Sequence, residues 1–333
     1  MHRVMKRLKL LALLLFFAAS VQAQENKGPQ LNGYIQTRFS SNLNTTSEFM
    51  VRRAKLWLKG DVPRLDFISY KLQVVYRSFK DQNFTFQDAL ADIHLKENGL
   101  FRLGRFVPDF MMQRMQPDYR IPVLERATVI NALNMNPKYG ARMIGLEYLY
   151  SHPGQPWHAS IGLFNGNTDK PAHNNNSLLV TSQLNRKFSF ADKSDLTLGG
   201  SVAYRNITQM SLPTIYAAGS LISGDDFRWG TEALLHSGHF HLQAEYIQAL
   251  LNSEKADGYY LLGWYDFNSH YQLTAFTDKY TDLNPATANH SWYGLGFNYL
   301  MTEKTKLMAD FRCSDLDQNP VYSANIQLQI FFR

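Results

Sequence analysis

The chain has 333 residues, of which 45% are hydrophobic, 14% aromatic and 19% charged, and it contains a single cysteine. This apolar and aromatic content excludes an intrinsically disordered chain. One cysteine excludes an internal disulfide framework and a cysteine-based zinc site. After residue 23, no apolar run approaches the roughly 18–20 residues of a membrane-spanning helix, which argues against a helical membrane protein.

Residues 1–23 have the three parts of a secretory signal peptide. Four basic residues precede an apolar run over residues 10–19, and the segment ends in a small residue, Ala23. An uncleaved anchor helix is the alternative, but the apolar run is too short for it. Cleavage before Gln24 lowers the net charge from +6 to +2, because 30 basic residues then face 28 acidic ones. The small remaining charge gives no support for nucleic-acid binding.

The remaining chain, residues 24–333, alternates between apolar and polar residues over short segments. Phe240, Leu242 and Ala244, for example, alternate with His241 and Gln243. Because successive strand residues point to opposite faces, each such segment has one apolar and one polar face. The pattern predicts sixteen strands, at 31–40, 49–60, 66–77, 86–97, 100–106, 139–150, 157–165, 178–188, 195–206, 226–236, 239–249, 258–267, 270–279, 291–301, 305–313 and 322–333.

The connections between these segments alternate in length. Those after odd-numbered strands are all longer than those after even-numbered strands, and most strands have close to the roughly 9–11 residues that cross a bilayer at a tilt. Short turns on one rim and long loops on the other are typical of outer-membrane barrels. We therefore predict an all-β, transmembrane, antiparallel barrel of sixteen strands with both termini on the short-turn, periplasmic side.

Aromatic residues near the strand ends are consistent with membrane-interface girdles, as at Tyr259–Tyr260 and Phe331–Phe332. A soluble β-sandwich would also show alternating strands, but sixteen of them would need two domains, and no linker is apparent. A propeller would show a repeat of about 40–50 residues, which the sequence lacks.

The longest connection, residues 107–138, follows the fifth predicted strand. It carries Arg114, Arg120 and Arg126 together with several apolar residues, and residues 123–134 could form a short helix after a proline. A connection of this length is either functional or disordered, and its apolar content argues for packing inside the lumen.

Several segments resemble the family of phosphate-selective porins O and P, and the resemblance extends over essentially the whole chain after the signal. It implies a sixteen-stranded barrel, usually trimeric, whose third extracellular loop folds inward and narrows the pore. The segments that carry the resemblance are 52–60 (RRAKLWLKG), 88–96 (DALADIHLK), 104–110 (GRFVPDF), 124–126 (LER), 164–166 (FNG) and 294–307 (GLGFNYLMTEKTKL).

Basic residues on the polar faces of the strands are candidates for an anion-binding pore wall. Such ladders favour anions through charge-assisted hydrogen bonds. The alternative is that these residues are ordinary charges paired with Asp88, Asp92, Glu147, Glu232 and Glu245. Counting the third loop, the candidate pore-lining residues are Arg38, Arg53, Lys55, Arg105, Arg114, Arg120, Arg126 and Arg205.

The sequence therefore predicts an outer-membrane porin of a Gram-negative bacterium, embedded in lipid, that passes small solutes, with phosphate or other small anions preferred. The family resemblance implies that it is a homotrimer. The alternative is a barrel enzyme such as a lipid hydrolase, which would need a Ser or Thr nucleophile beside a His on the outward surface. No cofactor motif is present. His236, His239 and His241 crowd one turn, but they read as rim polarity rather than a metal site.

Overall fold

A computed structural model describes twelve stretches of the chain. Residues 1–23, predicted as a signal peptide, lie outside them, so that assignment stays a prediction. The described residues are 28–43, 45–78, 83–95, 99–135, 141–151, 154–166, 178–191, 193–210, 220–252, 254–281, 290–316 and 319–332.

The sixteen predicted strands are confirmed, and they form one closed antiparallel barrel. Each strand pairs with its neighbours in chain order, and β1 pairs with β16 from Gly33–Phe332 to Asn42–Ser323. The strands are β1 (Gln30–Asn42), β2 (Thr46–Val62), β3 (Leu65–Tyr76), β4 (Phe84–His94), β5 (Gly99–Phe106), β6 (Met143–Ser151), β7 (Trp157–Asn165), β8 (Leu178–Ala191), β9 (Ser194–Met210), β10 (Ile222–Ser237), β11 (Phe240–Leu251), β12 (Glu254–Asp266), β13 (Tyr271–Tyr280), β14 (His290–Thr302), β15 (Thr305–Leu316) and β16 (Asn319–Phe332).

The barrel is polar inside and apolar outside, the reverse of a soluble β-sandwich. In β8, Thr181 and Gln183 are buried, whereas Val180 and Leu184 are 42% and 52% exposed. The same alternation recurs in β16, where Ile326 and other outward apolar residues are exposed. An apolar outer surface of this kind suits contact with lipid, and it follows from the period of two in the sequence.

Two of the predicted girdle positions are wrong. Tyr260 is 2% exposed and donates its hydroxyl hydrogen bond to Glu245 inside the barrel. Phe331 packs on the inward-facing rings of Trp57 and Tyr119. Because adjacent strand residues point to opposite faces, only one member of each adjacent aromatic pair can reach the membrane interface.

At three places the connection after an odd-numbered strand is not longer than every connection after an even-numbered strand, contrary to the prediction. The links β1–β2, β11–β12 and β15–β16 contain only residues 43–45, 252–253 and 317–318, because the strands continue as long hairpins past the width of a bilayer. The contrast between the rims is carried by the links after β3, β5, β7, β9 and β13. The start of β1 at Gln30 and the end of β16 at Phe332 lie on the rim of short turns.

The connection between β5 and β6, residues 107–142, is called the β5–β6 segment below. It contains two short helices, α1 (Met112–Met115) and α2 (Thr128–Ala132). The helix expected over 123–134 is thus confined to its second half, and α1 was not expected. Within the described residues, no helix is long and apolar enough to cross a membrane.

Candidate functional site

The β5–β6 segment packs its apolar side chains against inward-facing residues of the barrel wall. Phe110, Met111, Ile130 and Leu133 are each at most 4% exposed. They belong to one apolar cluster with wall residues such as Ile207. Burial of this apolar surface stabilises the segment on the wall and accounts for the apolar content noted in the sequence.

Three wall carboxylates hold the backbone of the segment. The amides of Asp109, Met112 and Gln113 donate to Glu147 Oε1 (2.9 Å), Glu232 Oε2 (2.6 Å) and Glu245 Oε1 (2.6 Å), in that order. The alternative considered from the sequence was that these glutamates form ion pairs with basic residues of the wall. Instead, backbone amides of the segment donate hydrogen bonds to these glutamates. The segment also covers them, since each glutamate is at most 3% exposed.

Glu125 of the segment gathers three arginines. Its carboxylate lies 2.8 Å from Arg38 Nη1 and 2.8 Å from Arg53 Nη2, and it also accepts a hydrogen bond from Arg52. Burial opposes ionisation of Glu125, but Arg53, Arg52 and Arg38 together hold its pKa well below its usual range. Arg38 also donates to Gln327 Oε1 and to the carbonyl of Leu124, so it is fixed on the wall.

Asp118 gathers a second group of cations. It accepts hydrogen bonds from Lys55, from Arg126 and from the Tyr34 hydroxyl, the last at 3.1 Å. Arg126 therefore pairs with Asp118 rather than with its chain neighbour Glu125, and its Nε also donates to the carbonyl of Gln113 at 3.0 Å. These bonds fold the segment back on itself and onto β1 and β2.

Arg205 lies in a sealed network and is not available to a solute, contrary to the sequence-based expectation. Its side chain has no exposure, and its Nε donates to Asp226 Oδ2 at 2.9 Å. Asp226 also binds Arg228, which donates to the carbonyls of Leu133 and Asn134 at 2.6 and 2.7 Å. The network therefore fixes the far end of the β5–β6 segment.

A cavity of about 1000 Å³ lies between the segment and the inward faces of β2 to β5. Eleven basic residues line it against five acidic ones, so its lining carries a formal surplus of six positive charges. The acids are Asp61, Asp88, Asp92, Asp118 and Glu125. The basic residues are Arg52, Arg53, Lys55, Lys59, Lys71, Arg77, Arg102, Arg105, Arg114, Arg126 and Arg142.

Five of the eight predicted pore-lining residues meet in this cavity, namely Arg53, Lys55, Arg105, Arg114 and Arg126. Arg38, Arg120 and Arg205 are not part of its lining. Arg120 is exposed, and its guanidinium lies 5.7 Å from the ring centre of Tyr119.

The crowding of cations is visible in the pKa values of side chains outside the strands. Burial, together with Arg142, Arg53 and Arg77, lowers the pKa of Arg114 to about 9. Burial and neighbouring arginines likewise lower the pKa of Arg77 to about 10. Burial is the larger cause in both cases, and the neighbouring arginines lower the pKa further because like charges disfavour the protonated form.

Sequence reasoning missed several cavity cations, of which Arg52 is the most instructive. The register of β1 with β2 runs from Gln36–Arg53 to Thr37–Val51, so a β-bulge at Arg52 interrupts the alternation and lets consecutive arginines face the same side. Two adjacent arginines in an otherwise alternating strand are the available signal. No such signal in the sequence marks Arg142, because its role comes from its contact with Asp88 at 2.6 Å.

The histidine cluster forms a rim contact. His236 Nδ1 lies 2.6 Å from His241 Nδ1, and His241 Nε2 lies 3.0 Å from Asp266. Within the described stretches, no group of three or more His, Cys, Asp or Glu side chains could hold a metal ion.

A closed sixteen-stranded barrel with an apolar outer surface and a charged interior defines the class of outer-membrane porins. The family described as phosphate-selective porin O and P has a model that matches residues 33–319, and the chain belongs to this family. It is thus a porin of the Gram-negative outer membrane. No curated protein matches the chain in sequence.

Solved porin structures share the fold at low sequence identity. OprB of Pseudomonas putida is 11% identical, with a TM-score of 0.73 over 92% of this chain and 95% of its own. An anion-selective porin from Comamonas acidovorans is 11% identical, with a TM-score of 0.68 over 92% and 99%. OmpT of Vibrio cholerae, in a trimer form, is 13% identical, with a TM-score of 0.63 over 92% and 99%.

Proposed function

We propose that the protein is a water-filled pore that prefers small anions, phosphate among them. The observation that carries this proposal is the charge of the cavity lining, eleven basic residues against five acidic ones. In a narrow passage with low-dielectric walls, each fixed charge acts strongly on a passing ion. The wall glutamates that could offset the cations are covered by the β5–β6 segment and bonded to its backbone amides.

The β5–β6 segment is, in this proposal, the third extracellular loop folded into the lumen, where it forms the constriction. Its contacts with widely separated strands support this role. It bonds to β2 through Arg53, to β11 through Glu245, and to β14 through Asn298, whose amide donates to the carbonyl of Pro122 at 2.6 Å.

Two further properties belong to the same proposal. The phosphate-selective description of the family and the anion selectivity of the Comamonas porin support an anionic solute, and the trimer form of the Vibrio porin supports a homotrimer. The pore is not an enzyme in this proposal. Ser69 Oγ does lie 2.9 Å from His94 Nε2, but Ser69 lies on the inward face of β3 with Lys71 and Gln73, away from the lipid that a lipid hydrolase would have to reach.

Reversal potentials in a planar bilayer under a salt gradient test the proposal. The wild-type pore should prefer anions, and the double variant Arg77→Gln, Arg114→Gln should shift toward cations, because the positive surplus of the lining falls from six to four. The shift should shrink near 1 M salt, where the screening length is about 3 Å. Arg120→Gln is the matched control, because it removes an arginine of the same segment from outside the cavity lining. A cation-preferring wild type, or equal shifts in both variants, would contradict the proposal.

A further inference from the structure

One wall of the cavity combines cations with aromatic rings. The inward face of β2 presents Arg53, Lys55, Trp57 and Lys59, all of which line the cavity. Alternate residues of a strand lie about 6.8 Å apart along the backbone, so Trp57 has a lysine one such step away on either side, Lys55 and Lys59.

The indole of Trp57 is the centre of an aromatic patch, defined here as Tyr34, Trp57, Tyr119 and Phe331. The ring centres of Tyr34, Tyr119 and Phe331 lie 6.2, 6.2 and 5.8 Å from that of Trp57. Tyr119 and Trp57 are nearly parallel, with 13° between their planes. Since Trp57 and Tyr119 are only half-buried and both line the cavity, part of the patch faces the solute path.

The cations beside the patch differ in their availability. Lys55 is committed to Asp118, and it is buried. Lys59 is exposed at the other side of Trp57, and among the described residues no ion pair involves it. Across the sheet, Lys59 pairs in register with Lys71, whose ammonium group lies 2.8 Å from Asp88. An exposed ammonium group therefore adjoins an accessible aromatic surface.

An inorganic anion can interact only with the ammonium group, because a hydrated phosphate has no apolar face to pack on an indole. An organic anion with a flat ring can make both interactions, since its carboxylate contacts Lys59 while its ring packs on Trp57. Aromatic contacts add about 0.5–1.5 kcal/mol beyond area burial, which corresponds to roughly two- to tenfold in affinity. We propose, resting on the anion-preferring pore above, that the cavity binds arylcarboxylates in preference to non-aromatic anions of equal charge.

Block of the chloride current by added carboxylates tests this inference in the full-length protein. Benzoate and cyclohexanecarboxylate carry the same charge and have similar size, but only benzoate is flat. Benzoate should reach half-block at a concentration about two- to tenfold lower. Trp57→Leu should remove this preference, and Lys59→Gln should weaken block by both anions. Trp157→Leu, which removes a ring from outside the cavity lining, is the matched control and should leave the preference intact.

The outcomes separate this inference from the proposed function. Equal block of the wild-type pore by benzoate and cyclohexanecarboxylate overturns the inference, and this comparison requires no variant. A benzoate preference that survives in Trp57→Leu also overturns the assignment to this patch. In both cases an anion-preferring reversal potential would leave the proposed function standing, whereas a cation-preferring potential would remove its basis.

Discussion

Replacement of Glu125 by Gln removes the charge that holds three arginines together while keeping the shape of the side chain. In the native protein, the carboxylate lies 2.8 Å from both Arg38 Nη1 and Arg53 Nη2 and also binds Arg52. The arginine side chains are 7%, 8% and 18% exposed for Arg38, Arg53 and Arg52, so water replaces little of the lost interaction.

The expected destabilisation follows from what remains after the change. Removing one partner of a buried ion pair costs about 3–5 kcal/mol, because a buried charge loses its counter-ion. Arg38 keeps Gln327, which accepts from its Nη2 at 2.6 Å, and Arg53 keeps Asp118 at 3.7 Å. These residual partners place the expected loss in free energy of unfolding near the lower end, at about 3 kcal/mol.

Equilibrium unfolding in detergent with denaturant, followed by tryptophan fluorescence, measures this loss. Glu48→Gln is the matched control, because it changes an exposed glutamate on β2 and should alter stability by less than about 0.5 kcal/mol. In the bilayer, Glu125→Gln should also strengthen anion preference, since one of the five acids of the cavity lining is lost. A variant as stable as Glu48→Gln would refute the view that Glu125 holds the segment on the wall.

Further predictions concern pH, a buried arginine, a glycine and assembly. The folded pKa of Glu125 lies well below its unfolded pKa of about 4.3, so its contribution to stability is complete above the unfolded pKa and is lost as the pH falls through the folded pKa. The difference in free energy of unfolding between wild type and Glu125→Gln should therefore be equal at pH 7 and pH 6 and shrink only in strong acid. Arg205→Met should lower the free energy of unfolding by about 3 kcal/mol or more, since Asp226 then keeps only Arg228, and a loss under 1 kcal/mol would contradict the sealed network. Gly104→Ala should destabilise the barrel by more than about 1 kcal/mol in the same assay, because Gly104 has a φ of 122° and an added Cβ would lie 2.1 Å from the carbonyl oxygen of Ala89; wild-type stability would show that β5 shifts freely. Mass measurement in mild detergent should give a trimer, and a monomer would count against the proposed assembly.

The barrel could be predicted from the sequence because the alternation of polar and apolar residues that determines it lies within each strand. In β2, the alternation of Arg53, Lys55, Trp57 and Lys59 with apolar residues fixes which side faces inward, and it needs no knowledge of distant strands. Strand ends were less predictable, because the hairpins extend past the apolar belt in polar residues that resemble loops. A single bulge was enough to turn Arg52 inward against the simple alternation.

The interior of the site could be predicted only in part, because its contacts join residues far apart in sequence. The sequence marked the β5–β6 segment by its length and apolar content. It did not show that Glu125 binds Arg38 and Arg53, or that Asp118, rather than Glu125, binds Arg126. Those choices depend on how the segment lies across the wall, which alternation does not encode.

The carboxylates that bind the backbone of the β5–β6 segment also constrain the order in which parts of the barrel form. The amides of Asp109, Met112 and Gln113 bond to partners 38, 120 and 132 positions further along the chain. Contacts of such sequence separation form only after the intervening loop has closed. The polypeptide therefore has to add β10 and β11 to the growing sheet before its fifth connection can be fully secured, and the passage acquires its final bore late in maturation.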